Sequence, residues 1–187
     1  TARITGIVRQ LMDLARRRNL NRSRVDLREL SARVLKTLGP IWGKGGGGWS
    51  LDGDQEPVIV NGDAAQLEQV LTNLIVNAVQ AMPDGGRLGV RATRVRAGVA
   101  PDLEGSERLG ACVSVQDEGP GIAPEILEHL FEPFLTTKEV GEGTGLGLEI
   151  SKRLAYFAGG HMGMSSVVDQ GSTFWFELPF DEDLKSA

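Results

Sequence analysis

Residues 61–96 constrain the fold more than any other stretch. From Ala64 to Met82, Leu67, Val70, Leu71, Leu74 and Ala78 recur at helical spacing. Asn61-Gly-Asp63 caps this helix, and Pro83 with the turn Asp84-Gly-Gly86 ends it. Arg87 to Arg96 then alternates as a strand, with Leu88, Val90, Ala92 and Val95 as its apolar set. A one-faced helix running straight into a one-faced strand can bury both faces only by packing helix on sheet.

The rest of the chain supplies more of both layers. Ala111–Gln116 reads as a second strand beyond a loop at residues 97–110, and strand-like material lies at Trp49–Leu51 and Val58–Val60. His161–Val168, the turn Asp169-Gln-Gly171 and Thr173–Leu178 predict a closing hairpin. Helices are expected from an N-cap at Asp26, with Glu29 at N3, to about Leu38, where Gly39 and Pro40 stop it. Others are expected at Pro124–Phe131 and Leu146–Leu154. Lys44 to Gly48 reads as a connector. The expected class is α+β, a two-layer sandwich with a mixed, mostly antiparallel sheet and helices on one face.

At the N-terminus Ile4, Ile7, Leu11 and Leu14 step by 3, 4 and 3, a coiled-coil-like seam that one helix cannot bury alone. Residues 1–36 carry ten Lys/Arg against three Asp/Glu, a balance of +7. The net charge is −5, so the remainder carries −12. No aromatics interleave the basic arm, so a nucleic-acid partner is not expected. No apolar run approaches the roughly 20 residues of a membrane span. Starting at Thr1 without a Met, the chain reads as a piece of a longer one whose upstream sensor or anchor lies outside it. Cys112, the one cysteine, excludes an intrachain disulfide and reads as a small buried hydrophobe. His129 and His161 lack zinc-ligand partners, so a metal here is expected to be a hard one bound through oxygen.

Four groups of residues can carry chemistry. Opposite its apolar face, the helix from Ala64 sets Gln66, Gln69, Asn73, Asn77 and Gln80 within about 80° of one another. Their amides offer a carbonyl oxygen to a hard cation and an N–H to phosphate, although a solvated face would look the same. Asp117-Glu-Gly-Pro-Gly-Ile122 follows a strand, where a carboxylate can accept from an exocyclic amine while Gly119 and Gly121 admit a flat ring; it also reads as a plain turn. Phe131-Glu-Pro-Phe-Leu-Thr-Thr-Lys138 joins an apolar anchor to Thr136, Thr137 and Lys138, which could touch phosphate. Glu139 to Glu149 has four glycines in seven positions, Gly141, Gly143, Gly145 and Gly147. It fits neither a dinucleotide fingerprint nor a P-loop, yet its backbone N–H groups could converge on an anion before the helix that follows.

In order, Asn73-Leu-Ile-Val-Asn77-Ala, Asp117-x-Gly-x-Gly121, Phe131-x-Pro-Phe-x-Thr-Thr-Lys138, Gly143-Thr-Gly-Leu-Gly147 and Gly171-Ser-Thr-Phe174 resemble the five boxes of sensor histidine kinase catalytic domains. These belong to the ATPase superfamily of gyrase, heat-shock-90, histidine kinase and mismatch-repair-L proteins. The resemblance covers about residues 25–180 and implies the Bergerat-type ATP-binding fold. Residues 1–20 resemble the second helix of a dimerisation and phosphoacceptor hairpin, with residues 25–182 as the catalytic domain. The implied cofactors are ATP and Mg²⁺. Asn77 would hold the metal with Asn73 beside it, and Asp117 would bond the adenine amine with help from Thr173. Gly119, Gly121 and Ile122, together with Gln80, would line the nucleotide. Thr136, Thr137, Lys138, Gly143, Thr144 and the N–H groups of Gly145, Leu146, Gly147 and Leu148 would hold the phosphates beneath a lid.

Asn77 and Lys138 would carry the transfer of the γ-phosphoryl group to a histidine and then to a response-regulator aspartate. The implied partners are the chain's own hairpin, a receiver domain and a second copy through the N-terminal helix; the implied setting is cytoplasmic. Two features depart from the resemblance. The acceptor box is absent, so the acceptor is expected upstream, with His129 and His161 structural or on the surface. Gln80 also stands where many relatives carry a basic residue. An ATP-hydrolysing clamp, a nucleotide-sensing module and a serine kinase of the anti-sigma type are the alternatives.

Overall fold

The structure, a computed structural model, describes residues 21–42, 47–97, 108–133, 135 and 145–181. The expected N-terminal helix lies outside these residues. Strand β1 (Ser23–Asp26) leads into helix α1 (Leu27–Trp42), followed by β2 (Gly48–Gly53), β3 (Ile59–Gly62) and α2 (Ala64–Gln80). Next come β4 (Arg87–Ala97), β5 (Arg108–Asp117), the short α3 (Pro124–Leu127), α4 (Gly147–Phe157), β6 (His161–Val167) and β7 (Gly171–Pro179).

Five strands form one sheet in the order β2-β4-β5-β7-β6. Only the β2–β4 pair is parallel; the others are antiparallel. β1 and β3 make a separate antiparallel pair, joined to the end of β7 by a bridge between Val60 and Phe180. Alternation along each strand turns Leu88, Val90 and Ala92 of β4, Ala111, Val113 and Val115 of β5, and Phe174, Phe176 and Leu178 of β7 to one face. There they bury against Leu67, Val70, Leu71 and Leu74 of α2 and Leu30, Val34 and Leu35 of α1. The two-layer α+β architecture expected from the sequence is the observed one.

Local chemistry sets the helix ends. Asp26 Oδ1 accepts from Arg28 N at 2.9 Å and from Val58 N at 3.3 Å, capping α1 and tying it to the start of β3. α1 runs past the expected stop, through Gly39 and Pro40 to Trp42. Pro40 has no N–H for the carbonyl of Lys36, but it is exposed near the helix end, where water can serve that carbonyl. Asp63 caps α2, its Oδ1 accepting from Ala65 N and Gln66 N while Oδ2 accepts from Asn21 N at 3.2 Å. α4 closes with Gly159 N to Tyr156 O and Gly160 N to Ala155 O, and Gly159 has φ +87°, a Schellman ending. Arg22 Nη2 donates to the carbonyl of Phe157, the last residue of α4, at 2.9 Å.

Two elements differ from expectation. β1 forms where the sequence pattern predicts no element; among its four residues only Val25 is buried, so no alternation announces it. α3 stops at Leu127 rather than Phe131, and the chain continues as tight turns, His129 N to Ile126 O and Glu132 N to His129 O.

Candidate nucleotide-binding site

The amide stripe of α2 divides by position. Asn73 and Asn77 are half-buried and Gln80 is exposed at the helix end. Asn73 Nδ2 donates to Gly147 O at 3.2 Å and to Ser151 Oγ at 3.1 Å, and Ser151 Oγ donates to the same carbonyl at 2.8 Å. A carbonyl only accepts, so the atom facing Gly147 must be the amide nitrogen. Asn73 therefore keeps its Oδ1 free of these contacts. The Asn77 side chain makes no hydrogen bond within the described residues, so its oxygen is also available. These two amide oxygens suit a hard cation, but no group of three or more His, Cys, Asp or Glu that could hold a metal exists among the described residues. A divalent ion here would need most of its oxygens from a ligand, which is how Mg²⁺ is held beside phosphates.

Beyond the other end of α2 stands the carboxylate. Asp117 ends β5, is 3% exposed, and takes two bonds on one oxygen: Gly119 N at 2.9 Å and Ser172 N at 3.2 Å, both to Oδ1. Burial pushes its carboxyl above the ordinary 3.8, and the two N–H bonds only partly offset that. The glycines after it meet steric needs. A Cβ on Gly119 would lie 2.8 Å from Asp117 Oδ1 and 3.0 Å from Ala81 O; Gly121 has φ +70°, and a Cβ there would lie 2.3 Å from Val167 O. Ile122 N donates to Ser166 Oγ, and Asp169 N of the β6–β7 turn donates to Pro120 O, so this loop leans on that hairpin.

Strand register decides which residue of β7 meets Asp117. Asp117 pairs in register with Ser172, whereas Thr173 pairs with Gln116 and with Ser165. Alternation puts Thr173 on the face opposite Asp117 and Phe174, and the residue buried beside Asp117 and bonded to its carboxylate is Ser172. Counting back two from the inward Phe174 would have found it. Ser151 and Ser166 were also missed; nothing in sequence distinguishes a serine that orients a neighbour.

At the third side lies the start of α4. Gly145 has φ +63°, Leu146 is buried, and Leu148 is partly buried. Among the described residues no side chain caps this N-terminus, so it is a place where helical N–H groups could face an anion. Lys152 Nζ sits 4.8 Å from the centre of the Phe131 ring, tying the aromatic motif to α4. Thr136, Thr137, Lys138, Gly143 and Thr144 lie outside the described residues. His129 Nδ1 meets Glu132 at 2.7 Å and His161 Nε2 meets Glu177 at 3.6 Å, both histidines exposed and away from the residues above. Cys112 is half-buried on the helix-free face, where burial and Glu177 push its thiol up to about 11, so it stays protonated.

One long helix thus carries two free amide oxygens, an uncapped helix start sits against its middle, and a buried carboxylate flanked by glycines stands beyond its end. Residues 62–182 match the family described as histidine kinase-, DNA gyrase B-, and HSP90-like ATPase. The chain belongs to this family. The sensor kinase CckA of Brucella abortus is 38% identical over 180 residues, covering 95% of this chain and 19% of that protein. Full-length ShkA in complex with AMPPNP superposes with a TM-score of 0.75 at 29% identity, over 95% of this chain and 36% of that one. The catalytic domain of histidine kinase ThkA gives a TM-score of 0.70 at 29% identity, over 85% and 95% of the two chains. ThkA in complex with response regulator protein TrrA gives 0.75 at 26%, over 96% and 48%. The chain spans about a fifth of the length of CckA.

Proposed function

We propose that this chain is the ATP-binding catalytic part of a two-component sensor histidine kinase, with residues 25–182 as the catalytic domain and residues 1–20 as the second helix of the phosphoacceptor hairpin. Asp117 carries the reading. A buried carboxylate with one oxygen tied to Gly119 and Ser172 leaves Oδ2 to accept from an exocyclic amine, and Gly119 puts no Cβ beside that carboxylate. Asn77, with Asn73 beside it, would hold Mg²⁺ through oxygen, the ion neutralising phosphate charge. The N–H groups from Gly145 to Leu148 would meet the phosphate tail, with Thr136, Thr137, Lys138, Gly143 and Thr144 closing over it.

In the transfer, the bond from the bridging oxygen to the γ-phosphorus breaks, a histidine nitrogen takes the phosphoryl group, and ADP leaves. Positioning and charge neutralisation by Asn77 and Lys138 would supply most of the acceleration. Asn73 is an amide that donates to Gly147 and Ser151, so it cannot serve as the carboxylate base of a hydrolytic clamp. The partners are the hairpin, a second copy through it, and a receiver-domain aspartate. A cytoplasmic setting, where ATP is supplied, belongs to the same proposal.

The test supplies γ-labelled MgATP and a separate hairpin domain bearing a histidine. Acid-labile label should appear on that hairpin, weakly, since no covalent link raises its effective concentration. Label on His129 or His161 would overturn the assignment.

A further inference from the structure

Ser166 lies on β6 opposite Ser172, outside every motif that the sequence marks. Its hydroxyl meets three groups. Ile122 N donates to it at 2.8 Å, it donates to Gly171 O at 3.1 Å, and it lies 3.0 Å from Ser172 Oγ. A hydroxyl has one proton and two acceptor lone pairs. With the proton on the Gly171 carbonyl, which can only accept, Ser166 must accept from Ser172, and its capacity is then full.

Each partner belongs to a different part of the corner around Asp117. Ile122 follows the glycine turn. Gly171 opens β7 at φ +100°, where a Cβ would lie 2.0 Å from the Asp117 carbonyl oxygen. Ser172 holds Asp117 Oδ1 through its backbone N–H. We infer that Ser166 is a positioning residue for recognition of the purine amine: it ties Ile122, the Gly171 turn and Ser172 into one frame around Asp117. It also takes the Ser172 proton, leaving that oxygen with only lone pairs to offer a ligand. This rests on the nucleotide-binding reading above.

The test compares MgADP with the diphosphate of purine riboside, which lacks the exocyclic amine, by calorimetry on the 187-residue chain. The ratio of the two affinities isolates what the amine contributes, and a merely structural role would lower both alike. Ser166→Ala should shrink the preference for ADP roughly fivefold to tenfold, the effect of one loosened hydrogen bond. Ser166→Thr, which keeps the hydroxyl, should hold it within about twofold. If Ser166→Ala does not fold, Ser166→Cys, with its weak donor and acceptor, carries the same comparison. An unchanged preference, even with both affinities reduced, overturns the inference. A wild-type chain that binds both ligands alike overturns the reading of Asp117 itself, and the inference with it.

Discussion

Replacing Asp117 by Asn changes one atom and should reverse what the corner asks of a base. Both protein bonds fall on Oδ1, from Gly119 N and Ser172 N, so these donors will hold the oxygen of the substituted amide there. The NH₂ group then occupies the place of Oδ2. Where adenine presents its exocyclic amine, donor meets donor; where guanine presents its carbonyl oxygen, donor meets acceptor. Losing a charge-assisted bond at a buried site costs about 1.5–3 kcal/mol, roughly tenfold to a hundredfold in affinity. The assay is calorimetry with MgADP and MgGDP on both proteins, read as the ratio of dissociation constants. Protonation gives a second readout. The carboxyl is raised by burial, so adenine affinity should fall on acidification at a higher pH than an ordinary carboxylate near 3.8 would give, and Asp117→Asn should abolish that fall. The stability effect has the opposite sense. A pKa higher in the folded than in the unfolded state contributes stability that is full below the unfolded value and is lost as pH rises through the folded one. At neutral pH the substitution should therefore weaken adenine binding without lowering the melting temperature through desolvation. An ADP-to-GDP ratio equal in the two proteins would refute the reasoning.

Asn77→Ala should remove the Mg²⁺-dependent part of nucleotide affinity and leave unliganded melting unchanged; wild-type MgATP affinity in the variant would count against the metal role. Asn73→Asp places an acceptor against the Gly147 carbonyl in place of a donor, and should cost about 1–3 kcal/mol without any ligand; an unaltered urea midpoint would refute the α2–α4 latch. The neighbouring glycines should part company. Gly145→Ala meets φ +63° and should lose about 1 kcal/mol, whereas Gly147→Ala begins a helix with its nearest neighbour 3.9 Å away and should melt at or slightly above the wild type.

Much of the frame could be read from local patterns. The α2 apolar face, the caps at Asp26 and Asp63 and the β6–β7 turn are signals confined to a few neighbouring residues, and each stands where expected. What escaped depends on partners distant in sequence. β1 exists because Val25 and its neighbours find β3, and β2 lies parallel to β4 across an intervening helix. The resemblance places Asn73 beside the metal, and nothing local shows that its amide nitrogen is bonded to α4. The resemblance points to Thr173, because a motif gives order along the chain and says nothing of which way a side chain turns. Register with Asp117 decides that.

The chain comes into this domain bonded to both helices of the site at their far ends. Asn21 N holds the Asp63 cap that starts α2, and Arg22 holds the last carbonyl of α4. Asn73, near the middle of α2, also bonds the first turn of α4 through Gly147 and Ser151. Mechanically this is a pair of stiff rods sharing a pivot, with handles at residues 21 and 22. A displacement of residues 21 and 22 would therefore be felt first at the start of α2 and at the end of α4.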